Sequence, residues 1–461
     1  MVCKGFGMAP GNIMMKGSRA VPPRIGSAMN VRHRKQRLRR WRYGMAALAA
    51  AYGCGGGPNY PVLGGSAGAF ARTDGSGGVG GALAAGSNVL AGIVDQGPAG
   101  LQVPYVNGMF VGVTFCQPGT SNCQTVDHLL VDTGSVGVRI LDSVLRLALP
   151  VAHDGSGLAL AECLPFVDSS SWGTVNIADI QMGAEAASSL AIHMIGEATY
   201  PMPADCTGIP ANDLNGLGAN GILGVGSLLN DCGADCTQPS ISRLNPGFYY
   251  GCSSARAGGC QVTSVPIASQ IANPVAMLPV DNNGVILQLP AIPSGGEPSV
   301  SGVVIFGIGT QPNNGLGGAT VLALDTYGYV ETAFPAGGTQ YTSYLDSGSN
   351  ALYFLDDKTT KIPLCAGNNN SFYCPTSTVN LNATMSQGNV TSAQFTFGVA
   401  NADELAANNF AFDNFAGPIQ GYPDPAQPSF DWGLPFFFGR TVYNAIETRS
   451  TPSGVGPYVA F

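Results

Sequence analysis

His128-Leu-Leu-Val-Asp-Thr-Gly-Ser135 decides how this chain is read. Leu129 to Val131 form a short apolar run that reads as a buried strand, ending on the carboxylate of Asp132. Thr133 and Gly134 turn the chain, and a second apolar run, Val136 to Leu141, comes next. The pattern returns 214 residues later, in Ser343-Tyr-Leu-Asp-Ser-Gly-Ser349 and then Asn350-Ala-Leu-Tyr-Phe-Leu355. One Asp-Thr-Gly is an ordinary turn. Two copies, each entered and left by an apolar strand, are an internal repeat.

Two carboxylates on symmetric loops, brought to about 3 Å, cannot both ionise and so share one proton. One then takes a proton from water while the other polarises a carbonyl. That assigns Asp132 and Asp346 as candidate catalytic residues. Gly134 and Gly348 let the backbone approach closely. The hydroxyls of Thr133, Ser135, Ser347 and Ser349 are placed to fix the geometry, including across to the opposite loop.

On these residues the chain resembles the pepsin-like aspartic proteases, over roughly residues 105–461. Asn220-Gly-Ile-Leu-Gly-Val-Gly226 is similar to the apolar-apolar-Gly element that braces the first catalytic loop of that family. Pro435-Phe-Phe-Phe-Gly-Arg440 is similar to its second-lobe counterpart. Gly224 lies 92 residues after Asp132 and Gly439 lies 93 after Asp346, which makes these two the expected loop-bracing glycines. Ser301 to Gly307 resembles the strand that opens the second lobe. Trp172-Gly173-Thr174 stands where the family carries the Tyr-Gly-Thr of its flap. An indole can cover a bound peptide and donate through its N–H, and its size implies a differently shaped cleft. The chain also resembles a group of bacterial, often lipid-anchored, proteins built on the same pattern. The resemblance implies an all-β, bilobal fold with two pseudo-twofold-related lobes and a cleft between them. It implies a peptide or protein substrate, no cofactor, no metal, and a monomer.

Composition agrees with the fold class. The 461 residues include 65 Gly and only 10% charged residues, with 45% hydrophobic. Short apolar runs punctuated by Gly, Pro, Asn and Ser favour an all-β protein. Eleven of the 20 basic residues fall at or before Arg42, and no acid precedes Asp74. The remainder therefore holds 9 basic against 28 acidic residues, a net charge of −19. A body this acidic excludes nucleic acid and anionic membrane surfaces as partners.

The organisation expected along the chain is a leader over 1–54, a Gly/Ala/Ser-rich linker over 55–102 and two lobes, 103–270 and 271–461. Met29 is a candidate start. The basic block Arg32 to Arg42 and the short apolar run Met45 to Tyr52 have the form of a signal peptide, too short to cross a bilayer. Gly53-Cys54 has the form of a lipidation site, so any membrane association is expected through lipid on Cys54, placing the protein in the bacterial cell envelope, lipid-anchored or periplasmic. Ten further cysteines in an exported chain favour disulfides. Close spacing pairs Cys116 with Cys123, Cys252 with Cys260, Cys365 with Cys374, and Cys232 with Cys236; Cys163 and Cys206 pair with each other.

Other chemistries have little footing. There is no Gly-x-Ser-x-Gly elbow and no His-Glu metalloprotease motif. Gly216-Leu-Gly-Ala-Asn-Gly221 matches a dinucleotide fingerprint in letters but lacks the strand before it and the long helix after it. A non-catalytic binding protein on the same scaffold is the competing reading; loss of either Asp would have favoured it.

Overall fold

The computed structural model describes residues 83–461 apart from 167–168, 241, 243–244, 254–258, 388–390 and 425–426. Cys54 and the expected leader lie outside the described residues. Strands dominate: the described residues form a 16-stranded sheet, a 7-stranded sheet and a two-stranded ribbon, and their α-helices, Leu214–Leu217 and Asp357–Thr360, are single turns. The expected all-β, two-lobed architecture is the one observed.

The first strand, β1 (Val89–Val94), corrects the expected linker. It pairs with Phe110 and its neighbours on one side and with Val300–Phe306 on the other. The stretch from Leu83 onward therefore belongs to the folded body. Its small apolar strand is hard to see from sequence because it is flanked by Gly and Ala runs.

Lobe one is built on β2 (Met109–Cys116), β3 (Cys123–Asp132), β4 (Val136–Leu141), β5 (Ala159–Pro165), β6 (Ser169–Met182), β7 (Glu185–Ile195) and β8 (Gly221–Val225). The outer half of β3 is largely solvent-facing; its last four residues, Leu129 to Asp132, are all buried. A register shift separates the two halves. Val113 faces Val126 but Val111 faces Leu129, and His128 in the extra length has φ 52°. A bulge of this kind bends a strand and re-aims the residues beyond it. Here it drives Leu129–Asp132 between neighbours, parallel to β8. After the Asp132 turn, β4 returns antiparallel to the other side of β8 and parallel to β7.

Between the lobes, β9 (Gly284–Leu289) and β10 (Val300–Phe306) continue the large sheet from β1. Lobe two repeats the first with β11 (Val330–Phe334), β12 (Thr339–Leu345), β13 (Leu352–Phe354), β14 (Val379–Gln387), β15 (Thr391–Val399), β16 (Ala416–Gly417) and β17 (Phe430–Trp432). β12 runs parallel to β17, β13 returns antiparallel to β17 and parallel to β16. The path β3–β8–β4–β7 of lobe one is thus matched by β12–β17–β13–β16 in lobe two. One apolar core spans both lobes, from Met109, Val131 and Leu223 to Leu345, Trp432 and Phe437.

All five expected disulfides are formed: Cys116–Cys123, Cys163–Cys206, Cys232–Cys236, Cys252–Cys260 and Cys365–Cys374. A set of this size fits an oxidising extracellular or periplasmic compartment. No helix among the described residues is long and apolar enough to cross a membrane.

Candidate active site

The matched paths leave each Asp at the end of a central strand, on a turn facing the other lobe. The two turns are locked by crossed hydrogen bonds. The Thr133 hydroxyl donates to Leu345 O at 3.2 Å and accepts from Ser347 N at 3.0 Å. The Ser347 hydroxyl donates to Val131 O at 2.8 Å and accepts from Thr133 N at 3.1 Å. Each short hydroxyl therefore ties its own turn to the strand end of the other lobe, which fixes the separation of the carboxylates.

Within each turn the contacts repeat. Gly134 N donates to Asp132 Oδ1 at 2.8 Å, and Gly348 N donates to Asp346 Oδ1 at 2.8 Å. Ser135 Oγ donates to Asp132 Oδ2, and Ser349 Oγ lies 2.9 Å from Asp346 Oδ2. The glycines permit the approach of the two carboxyls. A Cβ on Gly134 would sit 2.6 Å from Asp346 Cγ, and one on Gly348 would sit 2.7 Å from Asp132 Oδ1. Asp132 and Asp346 face each other and are fully buried, the Cβ position of Gly348 lying 2.7 Å from Asp132 Oδ1 and 3.1 Å from Asp346 Oδ1, while Gly134 at the tip of its turn is exposed. A cavity beside the pair is lined by Thr133, Gly134, Ser227, Tyr327, Tyr329 and Leu345.

Burial raises both carboxyls above the ordinary range, but their neighbours differ. Around Asp132 the rise is opposed by hydrogen bonds from Asp346, Ser135 and Gly134 N, and by the charge of Arg139. Around Asp346 it is reinforced by the charges of Asp132 and Asp431, leaving this carboxyl well above the usual value. The pair therefore suits a single shared proton, and the surrounding charges favour the ionised form at Asp132 more than at Asp346.

Sequence reading missed the groups behind this difference. Arg139 is fully buried in β4, 3.1 Å from Glu162 Oε1 and 3.5 Å from Asp231 Oδ2. His193 Nδ1 lies 3.0 Å from Glu162 Oε2, and Tyr249 OH donates to Asp231 at 2.8 Å. Burial alone would raise Glu162; Arg139 and His193 bring it down to about 2. In lobe two, Asp431 on β17 is 3% exposed, with Oδ2 2.7 Å from Ser349 Oγ. Tyr105 reaches the same turn through its hydroxyl, 3.4 Å from Gly348 O. The available signal was a charge inside an otherwise apolar strand: Arg139 within Val136–Leu141 and Asp431 between Phe430 and Trp432.

Two expected site elements require correction. Gly224 sits opposite Asp132 in the β3–β8 ladder, where a Cβ would meet Gly137 O at 2.8 Å and Ser135 Oγ at 2.9 Å. Its second-lobe counterpart is Gly433, not Gly439. Leu345 pairs with Trp432, so Gly433 stands next to Asp346, and a Cβ there would lie 2.6 Å from Ser349 O. Gly439 has φ 72° and faces Ala291, away from the Asp346 turn. The near-equal spacing of 92 and 93 residues is coincidental.

Trp172, Gly173 and Thr174 are not a flap tip. They lie inside β6, paired with Cys163, Glu162 and Ala161 of β5. Trp172 is 3% exposed, donates its indole N–H to Tyr200 O at 2.9 Å, and packs on Tyr250 beside the Cys163–Cys206 bridge. Gly173 pairs on its other side with Ile195, and Thr174 Oγ1 bonds Asn176. All three are core residues of lobe one.

Residues 84–461 match the family described as Protein of unknown function (DUF3443), and the chain belongs to that family. No curated protein matches. Among solved structures the chain is similar to an aspartic proteinase from Irpex lacteus, at 15% identity and a TM-score of 0.48, over 81% of this chain and 96% of that one. A likeness at that level says nothing of activity.

Proposed function

We propose that this chain is an exported aspartic-type endopeptidase. The observation that carries the reading is the crossed Thr133 and Ser347 bonding that holds Asp132 and Asp346 as a buried, facing pair. In this reading Asp132, the ionised member, takes a proton from a water held between the carboxyls. Asp346, the protonated member, donates to the carbonyl oxygen of a peptide as the water attacks its carbon. The tetrahedral species then collapses with proton transfer to the leaving amine, and no covalent enzyme adduct forms. The substrate in this reading is a peptide or protein. Export is supported by the five disulfides, and lipidation of Cys54 rests on the leader sequence alone.

A second reading, a binding protein with an idle dyad, is favoured by one observation: neither carboxyl has exposed surface. Digestion of a broad peptide library from about pH 3 to about pH 7, with products read by mass spectrometry, separates the two. Internal cleavage that is lost in Asp132→Asn supports the peptidase. Retained fold with no cleavage at any pH, or cleavage undiminished in Asp132→Asn, overturns it.

A further inference from the structure

Asp431 supplies a third buried carboxyl beside the pair. Its place in lobe one is taken by an apolar residue: Trp432 pairs with Leu345 as Leu223 pairs with Val131, so Asp431 corresponds to Ile222. A carboxyl here is therefore an addition to the repeat and not a demand of the strand.

Ser349 Oγ stands between two carboxyl oxygens, 2.9 Å from Asp346 Oδ2 and 2.7 Å from Asp431 Oδ2. A hydroxyl has one proton and can donate to only one of them. For both contacts to be hydrogen bonds, the other carboxyl must carry a proton and donate to Oγ. On Asp346, Oδ1 is engaged by Gly348 N, and this carboxyl also bonds Asp132. The arrangement that satisfies every contact has neutral Asp431 donating to Ser349, and Ser349 donating to Asp346. We infer that the site is a hydrogen-bonded chain of three carboxyls, Asp431–Ser349–Asp346–Asp132, holding two protons in its working state, with Asp431 a neutral positioning residue that aims the Ser349 hydroxyl at Asp346.

The surroundings of Asp431 agree. From β12 it faces Asp346 and the Tyr344 phenol, whose hydrogen bond opposes the effect of burial, and from lobe one the charge of Asp132. Its β13 neighbour in register is Tyr353, whose hydroxyl bonds Asn350. Among the described residues no Lys, Arg or His forms an ion pair with Asp431. Its Oδ1 has no hydrogen-bond partner, which a buried neutral carbonyl tolerates better than a carboxylate does. Burial holds this carboxyl well above the ordinary aspartate range. When pH rises enough to ionise it, Ser349 turns toward Asp431, and Asp346 loses its donor and gains a facing charge.

The test has two arms, because the role in turnover rests on the peptidase reading whereas the proton count does not. In the first, the protein is labelled with 13C at aspartate carboxyls, and resonances are assigned by their loss in Asp431→Asn and Asp346→Asn. The Asp431 signal should stay at its protonated position well above the ordinary midpoint of about pH 4. Titration of Asp431 at or below that midpoint overturns the inference, whether or not the protein cuts peptides. If Asp431→Asn does not fold, Asp431→Ile, matching Ile222, supplies the assignment. In the second arm, the alkaline limb of log kcat/KM should fall with the loss of two protons in the parent. It should fall with one in Asp431→Asn, whose amide still donates to Ser349. Equal one-proton slopes in both proteins contradict the inference.

Discussion

The Asp132 and Asp346 turns are near copies in backbone and opposites in what lies beneath them. Under Asp132 the sheet buries a cation, Arg139, held by Glu162 and Asp231. Under Asp346 it buries an acid, Asp431, joined through Ser349. Ser135 serves one carboxyl where Ser349 serves two. Repetition brings two like groups together, and departures from repetition make them unlike. A dyad whose members share every neighbour has no reason to place its proton on one side. Here the cation favours the charged form of Asp132 and the acid disfavours that of Asp346, which biases the shared proton toward Asp346.

The buried cation is the most costly feature to remove. Arg139→Leu strands the Glu162 carboxylate without its counter-charge, and should destabilise the protein by about 3–5 kcal/mol in urea unfolding. A loss below about 1 kcal/mol would mean that the cluster is neutralised some other way.

The crossed hydroxyls come next. Ser347 is fully buried and Thr133 is half-buried. Each alanine variant leaves buried backbone groups without partners, at about 1–3 kcal/mol. Ser347→Ala should be the more harmful, because water can reach the Thr133 position. The reverse order in thermal melts would break the comparison.

The buried acids should titrate with opposite effects on stability. The raised carboxyls of Asp346, Asp431 and Asp231 give stability that is full below about pH 4 and is lost as pH rises through their folded values. Glu162, brought down to about 2, gives stability present above the ordinary carboxylate range and lost as pH falls toward 2. Unfolding should therefore be hardest at mildly acidic pH. Asp346→Asn should raise the melting temperature at neutral pH by several degrees, at about 2–4 °C per kcal/mol. A neutral-pH melting temperature unchanged or lowered in Asp346→Asn would count against strained ionisation in the pair.

The smallest effect is expected at Trp172. Trp172→Phe forfeits the bond to Tyr200 O, about 1 kcal/mol, and should leave kcat/KM unchanged. A large loss of turnover without loss of stability would return this residue to the cleft.

How much the sequence reveals depends on range. The Asp-Thr-Gly-Ser and Asp-Ser-Gly-Ser turns are local patterns, and their repetition announced both the fold and the pair. Four disulfides were legible from short spacing, and Cys163–Cys206 from what those left over. Gly433 was not legible, because Asp431 interrupts the apolar pair that should announce it. The Phe-Phe-Gly of residues 437–439 offered a better match in letters at the wrong place. Trp172-Gly173-Thr174 failed for a similar reason: three letters do not distinguish a hairpin tip from the strand beyond it. Arg139 and Asp431 act through contacts with residues far away in sequence, Arg139 with Asp231 and Asp431 with Ser349, and only the folded sheet brings these together.

The pH profile of kcat/KM, taken on one cleaved peptide for the parent, Asp132→Asn and Asp346→Asn, tests the division of the pair most directly. The parent should give a bell confined to acidic and mildly acidic pH, with its acid limb set within the dyad and its alkaline limb by loss of protons from the coupled carboxyls. Both variants should keep the fold and lose turnover by about 10²-fold or more at every pH. Activity that climbs steadily into alkaline pH, or that survives in either variant, would contradict the account.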